Sequence, residues 1–194
     1  RGAACAGASS TETRLARAAE GASTGRRVAA VQYEVRGGRS LEAVVTEAEA
    51  WVRRAAAAGA ELVVFPELFI LDVWPAALED EAAFVRRVAL EQSPRRLESM
   101  ARVARAAEVA VLAGSVPELR EGRLYNTAHL YFPSGREVVQ DKVFLTAWGS
   151  RVGMSPGAEI EVFDAPWGRT AIFVCYDAEF PSLSAALAPA RPEV

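Results

Sequence analysis

Residues 40–68, SLEAVVTEAEAWVRRAAAAGAELVVFPEL, contain a helical pattern followed directly by a short apolar run. Ser40 is a favourable N-cap, and Gly59 ends the helical pattern. The run ELVVFP is typical of a strand covered on both faces, as in a parallel sheet. Apolar side chains recur with helical spacing along one face, at Leu41, Val44, Val45, Ala48, Val52 and Ala55. A helix that leads into a buried strand predicts an α/β fold.

The remaining segments extend this pattern in both directions. VAAVQY, from Val28, reads as a first strand, and VAVLAGSVP as a further buried strand. Helices are expected at about 76–91 and 94–107, with Pro94 opening the second. Two hairpins follow, RLYNTAHLYFPSGREVVQDKVF with a Pro-Ser-Gly turn and EIEVFDAPWGRTAIFVC with a turn at Trp167-Gly168. We therefore predict a mixed sheet with helices packed on it, in one domain over residues 27–194, after a flexible extension at residues 1–26 rich in Ala, Gly, Ser and Thr.

Composition excludes several classes of function. The chain has 194 residues, of which 51% are apolar and 24% charged, as is usual for a globular domain. A net charge of −3 without a basic block argues against a nucleic-acid partner. No apolar run is long enough to span a membrane. Two cysteines do not make a disulfide framework, so we expect a cytoplasmic protein.

Lys142 is the only lysine among 22 lysine and arginine residues. Arginine replaces lysine easily on a solvated surface, but not where a compact or deprotonatable ammonium is required. Survival by chance on a surface strand is the plain alternative. Because arginine supplies every other basic residue of the chain, Lys142 is a candidate functional residue.

Three side chains of complementary chemistry lie at the predicted strand ends. Glu67 follows LVVFP, Lys142 follows REVVQD, and Cys175 follows TAIFV. Ligands of open α/β sheets bind beyond the carboxyl ends of the strands. Each residue alone also has a structural explanation, as a first-turn glutamate, a surface lysine or a core cysteine. The combination predicts a site.

The chemistry of these three groups is that of acyl transfer. A free thiol is mostly protonated at neutral pH, so a carboxylate base is needed to take its proton. A neighbouring ammonium is expected to lower the pKa of the thiol and to stabilise an oxyanion. The backbone N–H of Tyr176, directly after Cys175, is a second candidate oxyanion donor.

The segments VVFPEL, YNTAHLYFPSGREVVQDK and VCYDAEFP, in that order, resemble the three signature segments of the carbon–nitrogen hydrolase (nitrilase) superfamily. The resemblance covers about Val28 to Leu187. It implies a nitrilase-like α-β-β-α sandwich and a catalytic triad of Glu67, Lys142 and Cys175. It also implies hydrolysis of amides, carbamoyl groups or nitriles through a thioester-type intermediate, without metal or organic cofactor, in a homo-oligomer.

The chain departs from that pattern in three places. Many members carry a second glutamate between the lysine and the cysteine, whereas residues 143–158, VFLTAWGSRVGMSPGA, contain no carboxylate. Glu179 stands where several branches have arginine. Members continue well past the cysteine, so we expect the sandwich to be incomplete at the C-terminus and the isolated chain to be marginally stable or prone to aggregation.

Several further readings remain beside the triad. His129, the only histidine, is the candidate for a Cys–His dyad, although a structural role is the alternative. A metal site is not expected from one histidine and two cysteines. Trp148 and Tyr176 are candidate substrate-adjacent residues. Asp177 is a third candidate. Its alternative roles are to orient the loop after Cys175 or to start a helix.

The sequence therefore predicts a hydrolase that cleaves a non-peptide C–N bond, most simply an amide, with nitriles and carbamoyl groups as further substrates. Cys175 attacks, Glu67 moves the proton and Lys142 stabilises the oxyanion. The alternative is a catalytically silent remnant with a structural or interaction role. An isochorismatase-type cysteine hydrolase fits less well, because the acid here follows the second strand and the hairpins are unexplained.

Overall fold

A mixed five-stranded sheet is the centre of the fold. The computed structural model describes residues 25–75, 77 and 80–194. The first three strands are parallel neighbours, and the next two continue as an antiparallel meander, in the order β1-β2-β3-β4-β5. The strands are β1 Val28–Ala30, β2 Leu62–Val64, β3 Ala110–Arg120, β4 Arg123–Tyr131 and β5 Glu137–Asp141. This arrangement confirms the mixed α/β sheet predicted from the sequence.

A layer of helices covers one face of this sheet. Helix α1 begins after Ser40, whose side chain accepts a hydrogen bond from the Ala43 N–H, as an N-cap should. Trp51 and Val52 of α1 and Met100 of α3 pack with Val63 of β2 in one apolar cluster. The helices of the described residues are α1 Leu41–Ala57, α2 Glu81–Arg87, α3 Ser93–Ala106, α4 Ala147–Arg151 and α5 Pro181–Leu187.

A second, two-stranded sheet packs on the opposite face. It consists of β6 Val162–Ala165 and β7 Gly168–Ala171, which pair antiparallel. Phe163 of β6 and the following residues Ile172 and Val174 lie in one apolar cluster with Leu130 and Val138 of the large sheet. Helices, sheet and second sheet are thus stacked in the order expected of the sandwich.

The structure differs from the sequence predictions at the junction of α2 with α3 and at the second hairpin. The expected break before Pro94 is absent, because a π-helical turn over Val88–Gln92 joins α2 directly to α3, and Pro94 lies in the first turn of α3. The second hairpin turns at Pro166-Trp167, since Ala165 pairs with Gly168.

Cys175 does not close a strand. Strand β7 ends at Ala171, because its partner β6 begins at Val162, opposite Ala171, and residues 172–174 run past it. The extension predicted for residues 1–26 falls almost wholly on residues 1–24, which lie outside the described part of the chain. None of the helices in the described ranges is long and apolar enough to cross a bilayer.

Candidate active site

Glu67 is positioned by a close approach between β2 and β3. Gly114 lies in a bulge of β3 with φ +62°, and a Cβ atom there would lie 2.1 Å from the carbonyl oxygen of Pro66. The next residue, Ser115, accepts a hydrogen bond from the Leu68 N–H through its hydroxyl at 3.2 Å. Leu68 itself is left-handed, with φ 50°. The backbone on both sides of Glu67 is therefore held against β3.

Lys142 follows β5 directly and is almost completely buried. Its N–H donates to the carbonyl of Asn126 at 2.9 Å, and its own carbonyl accepts from the Gly157 N–H at 2.8 Å. The ammonium Nζ lies 2.6 Å from Oε1 of Glu67. Only 2% of Lys142 is exposed, so its charge depends on this carboxylate. The single lysine of the chain is thus a buried ion-pair partner and not a surface residue.

Cys175 begins a short 3-10 turn, Cys175–Glu179, and is exposed. Its backbone is left-handed, with φ 48°, a conformation that costs energy for a residue with a side chain. The thiol forms hydrogen bonds with the carboxylate of Glu67 and with the backbone N–H of Tyr176. It also interacts electrostatically with the Lys142 ammonium. The structure therefore brings Glu67, Lys142 and Cys175 together.

The thiol differs from the sequence-based expectation in one respect. Although Cys175 is exposed as a residue, partial desolvation of its thiol raises the pKa, and the hydrogen bond to Glu67 and the negative charge of that carboxylate raise it further. Lys142 and the Tyr176 N–H act in the opposite direction without reversing the shift. The expectation of a lowered thiol pKa was wrong, because desolvation of the thiol, together with the adjacent carboxylate, outweighs the lysine. Attack by this thiol requires a base to remove its proton.

Asp177 links the segment after Lys142 to the segment before Cys175. The side chain is fully buried. Its carboxylate accepts hydrogen bonds from the backbone N–H groups of Phe144 at 2.7 Å, Val143 at 3.2 Å and Val174 at 3.0 Å. Asp177 therefore faces the backbone next to both Lys142 and Cys175.

Tyr176 and Trp148 differ in their contacts with the site. The ring of Tyr176 meets Phe180 edge to face at 5.0 Å. Trp148, on α4, donates from Nε1 to Oε2 of Glu81 at 3.1 Å, and its ring lines the pocket that contains Glu67 and Lys142. Trp148 is a wall of this pocket, whereas Tyr176 contributes its backbone N–H beside the thiol.

Asn126 also belongs to the site and was missed by the sequence reasoning. It lies in β4, is 2% exposed, and donates from Nδ2 to Oε1 of Glu67 at 2.7 Å. The available signal was an amide side chain in the middle of a strand with apolar neighbours, LYNTAHLY.

A small pocket of about 40 Å³ opens beside the triad. Its lining combines the polar groups of Glu67, Asn126, Lys142 and Thr146 with Leu68, Leu145, Trp148, Gly149 and Met154. A larger cavity of about 520 Å³ lies between α1 and α3 and shares no lining residue with it. Cavity size therefore does not mark the site in this chain. The convergence of charged and nucleophilic groups does.

His129 contacts two glutamates and not Cys175. Its Nδ1 lies 2.7 Å from Glu137 Oε1, and its Nε2 lies 2.9 Å from Glu118 Oε1. Both ring nitrogens thus face carboxylates on neighbouring strands, and the ring is not the partner of Cys175. Within residues 25–75, 77 and 80–194, no three His, Cys, Asp or Glu side chains converge as a metal site would require.

The chain is similar to known proteins in sequence and in fold. Residues 27–194 match the model of the carbon–nitrogen hydrolase family. The chain is 29% identical over 163 residues to "Probable hydrolase YhcX" of Bacillus subtilis, which covers 81% of the chain and 31% of that protein. It is 27% identical over 168 residues to human "Omega-amidase NIT2", with 81% of the chain and 57% of that protein covered.

A solved amidase from Nesterenkonia sp. has the same fold. The two superpose with a TM-score of 0.71 at 24% identity, over 83% of this chain and 59% of the amidase. The chain thus spans about a third to three fifths of the length of these proteins. With a family model matched from residue 27 to residue 194, the chain belongs to the carbon–nitrogen hydrolase family.

Proposed function

We propose that this chain hydrolyses a small non-peptide amide through a covalent intermediate on Cys175. The observation that carries the proposal is the shared carboxylate of Glu67. Lys142 Nζ meets it at 2.6 Å, and the thiol of Cys175 bonds to it, beside a pocket. Nucleophile, base and cation are assembled around one reacting position, as acyl transfer requires.

The first step joins the sulfur of Cys175 to the carbonyl carbon of the amide. Because the thiol pKa is raised, the proton moves to Glu67 as the S–C bond forms. The electron pair of the C=O bond moves onto oxygen. The Lys142 ammonium and the Tyr176 N–H stabilise this oxyanion.

The second step breaks the C–N bond. Glu67 gives its proton to the leaving nitrogen, the oxyanion collapses, and a thioester with Cys175 remains while ammonia or an amine departs. Water then attacks the thioester carbon as Glu67 accepts a proton from it. The thiolate leaves, is reprotonated, and the carboxylic acid is released. These steps use only groups of this chain and water.

Amides are proposed ahead of nitriles and carbamoyl compounds for two reasons. The chain resembles proteins named omega-amidase from several vertebrates, at 27–28% identity. The pocket beside Lys142 is small, and Leu68, Leu145 and Met154 are among its apolar lining residues, which suits a short uncharged acyl group. From the family resemblance we further propose a homo-oligomer in the cytoplasm.

The test measures ammonia release and the covalent intermediate together. The purified chain is incubated with propionamide, propionitrile and N-carbamoylglycine, with Cys175→Ala as the control. We expect ammonia from propionamide and, after acid quench, an intact mass raised by the propionyl group on Cys175. Absence of both from all three compounds would refute the proposal and favour the silent alternative.

A further inference from the structure

The carboxylate of Glu67 receives two donors on one oxygen. Lys142 Nζ lies 2.6 Å and Asn126 Nδ2 lies 2.7 Å from Oε1. The thiol of Cys175 bonds to the same carboxylate. With Oε1 occupied by two nitrogen donors, Oε2 is the oxygen left for the proton of the thiol.

We propose that Asn126 is a positioning residue for the general base, because it fixes the rotation of the Glu67 carboxylate so that Oε2 faces Cys175. The inference rests on the function proposed above and assigns a further residue to it. Asn126 does not touch the reacting atoms. It acts through Glu67.

The backbone gives Asn126 a fixed position from which to do this. Its carbonyl accepts the Lys142 N–H at 2.9 Å, so β4 is tied to the residue that supplies the second donor. Asn126 is 2% exposed, so its amide has little access to water as an alternative partner. Since a carboxylate only accepts hydrogen bonds, the amide must present Nδ2 to it.

The other half of the amide argues against a purely structural role. Among the described residues, Oδ1 of Asn126 is buried and has no hydrogen-bond partner. An unpaired buried acceptor is unfavourable, and an apolar side chain of the same shape would avoid that cost. The donor to Glu67 is the contact that explains an asparagine at this position.

A second consequence concerns Lys142. If Lys142 were the only donor to Oε1, turning its ammonium towards an oxyanion would leave that oxygen unpaired. Asn126 keeps Oε1 bonded while Lys142 serves the substrate. Asn126 therefore lets Lys142 interact with Glu67 and then with the oxyanion during the reaction.

The test compares Asn126→Leu and Asn126→Asp with Gln140→Leu as the control. Gln140 is a buried polar residue of β5 whose side chain forms hydrogen bonds with the backbone of Asp141, Glu159 and Glu161 and not with the Glu67 carboxylate. For Asn126→Leu we expect kcat/KM on propionamide to fall about 10- to 100-fold, with an unchanged or raised thermal midpoint. Gln140→Leu should lower the thermal midpoint without changing the shape of the pH profile.

Asn126→Asp supplies the donor only while the two carboxyl groups share a proton. Its kcat/KM should therefore fall as pH rises, over a range in which the wild type is flat. A variant that merely loosens packing would lose activity equally at every pH, and that result would overturn the inference.

Alkylation of Cys175 separates this inference from the proposed function. Rates with iodoacetamide are measured against pH in a Cys5→Ser background, and they need no turnover. A carboxylate free to rotate should bond the thiol less, so the midpoint for Asn126→Leu should shift to lower pH, as for Glu67→Gln but less. An unchanged midpoint would refute the role of Asn126. A shifted midpoint in a chain that releases no ammonia would refute the amidase proposal alone.

Discussion

The ammonium of Lys142 lies 2.6 Å from Oε1 of Glu67, although 75 positions separate the two residues in the chain. Glu67 follows β2 and Lys142 follows β5, and the segments after these two strands meet. Lys142 is 2% exposed, so its charge is compensated by this carboxylate and not by water. A guanidinium is larger and planar, so it cannot reproduce the position of this compact ammonium.

Lys142→Arg should therefore abolish turnover. A larger planar cation displaces Glu67 and cannot take the position of the ammonium at the oxyanion. We expect kcat/KM on the amide to fall at least about 100-fold, with far-ultraviolet circular dichroism unchanged. A near-normal rate in this variant would disprove the requirement for a compact ammonium.

The pH dependence of Cys175 alkylation gives a second prediction. Burial, then the bond and charge of Glu67, raise the pKa of the thiol, so its midpoint should lie above the value of about 8.5 for a free cysteine. Glu67→Gln removes the negative charge that disfavours the thiolate, and the midpoint should fall. Titration of both proteins with iodoacetamide in a Cys5→Ser background measures this. A wild-type midpoint below that of free cysteine would contradict the geometry of the site.

Much of the fold was predictable from local pattern. The helix at 41–57 and the strand Leu62–Val64 follow from apolar periodicity and from Ser40, since these signals act over a few residues. The break predicted before Pro94 is absent, because a proline is tolerated in the first turn of a helix. A π-helical turn connects α2 to α3 at this point. Local signals locate such elements but do not decide whether two of them are continuous.

The site was predictable in its residue types and less so in its energetics. Glu67, Lys142 and Cys175 could be named because strand ends converge and because lysine is otherwise absent from the sequence. The sign of the Cys175 pKa shift could not, since it depends first on how far the thiol is desolvated and then on its positions relative to the carboxylate and the ammonium. The contact of Asn126 with Glu67 likewise depends on the register of β4 against β3, which includes the bulge between Leu112 and Ser115.

Asp177 provides a third prediction. Its carboxylate holds the N–H groups of Phe144 and Val174, which flank the lysine and the cysteine. Asp177→Ala leaves these buried donors unpaired and should lower the free energy of unfolding by about 3 kcal/mol. Urea unfolding measures the loss. Glu179→Gln, at an exposed position two residues on, is the matched control and should change stability by less than about 0.5 kcal/mol. Equal effects of the two variants would contradict a clamp at Asp177.

The link between α1 and α3 makes stability depend on acid pH. Burial alone would raise the pKa of Glu49, but hydrogen bonds from Ser99, Arg102 and Arg53 outweigh it and lower the pKa to about 2. A lowered folded-state pKa stabilises the fold above the unfolded value of about 4.5, and the contribution is lost as pH falls towards 2.

Glu49→Gln should therefore lower the free energy of unfolding by about 2 kcal/mol at pH 7, and by progressively less below pH 4.5. Urea unfolding of both proteins at pH 7, 4.5 and 3 checks the trend. Glu98→Gln, an exposed glutamate on α3, should show no such pH dependence. A difference between wild type and Glu49→Gln that grew on acidification would have the wrong sign for this network.

The bulge at Gly114 gives the last prediction, because Gly122 offers a comparison with a similar backbone conformation and open space around it. Gly114 and Gly122 both have positive φ, +62° and +77°, but a Cβ at Gly114 would lie 2.1 Å from Pro66 O, whereas nothing lies within 4 Å of one at Gly122. Gly122→Ala should cost about 1 kcal/mol for the left-handed backbone.

Gly114→Ala bears the same backbone cost and must also push β3 away from the residue before Glu67. A displacement of the order of 1 Å at the general base is enough to reduce catalysis about 100-fold. We therefore expect a greater loss of stability than for Gly122→Ala, and a Cys175 alkylation midpoint that moves towards that of a free thiol. If the two alanine variants unfolded at the same urea concentration with identical alkylation profiles, the close approach of β2 and β3 would not be what holds Glu67 in place.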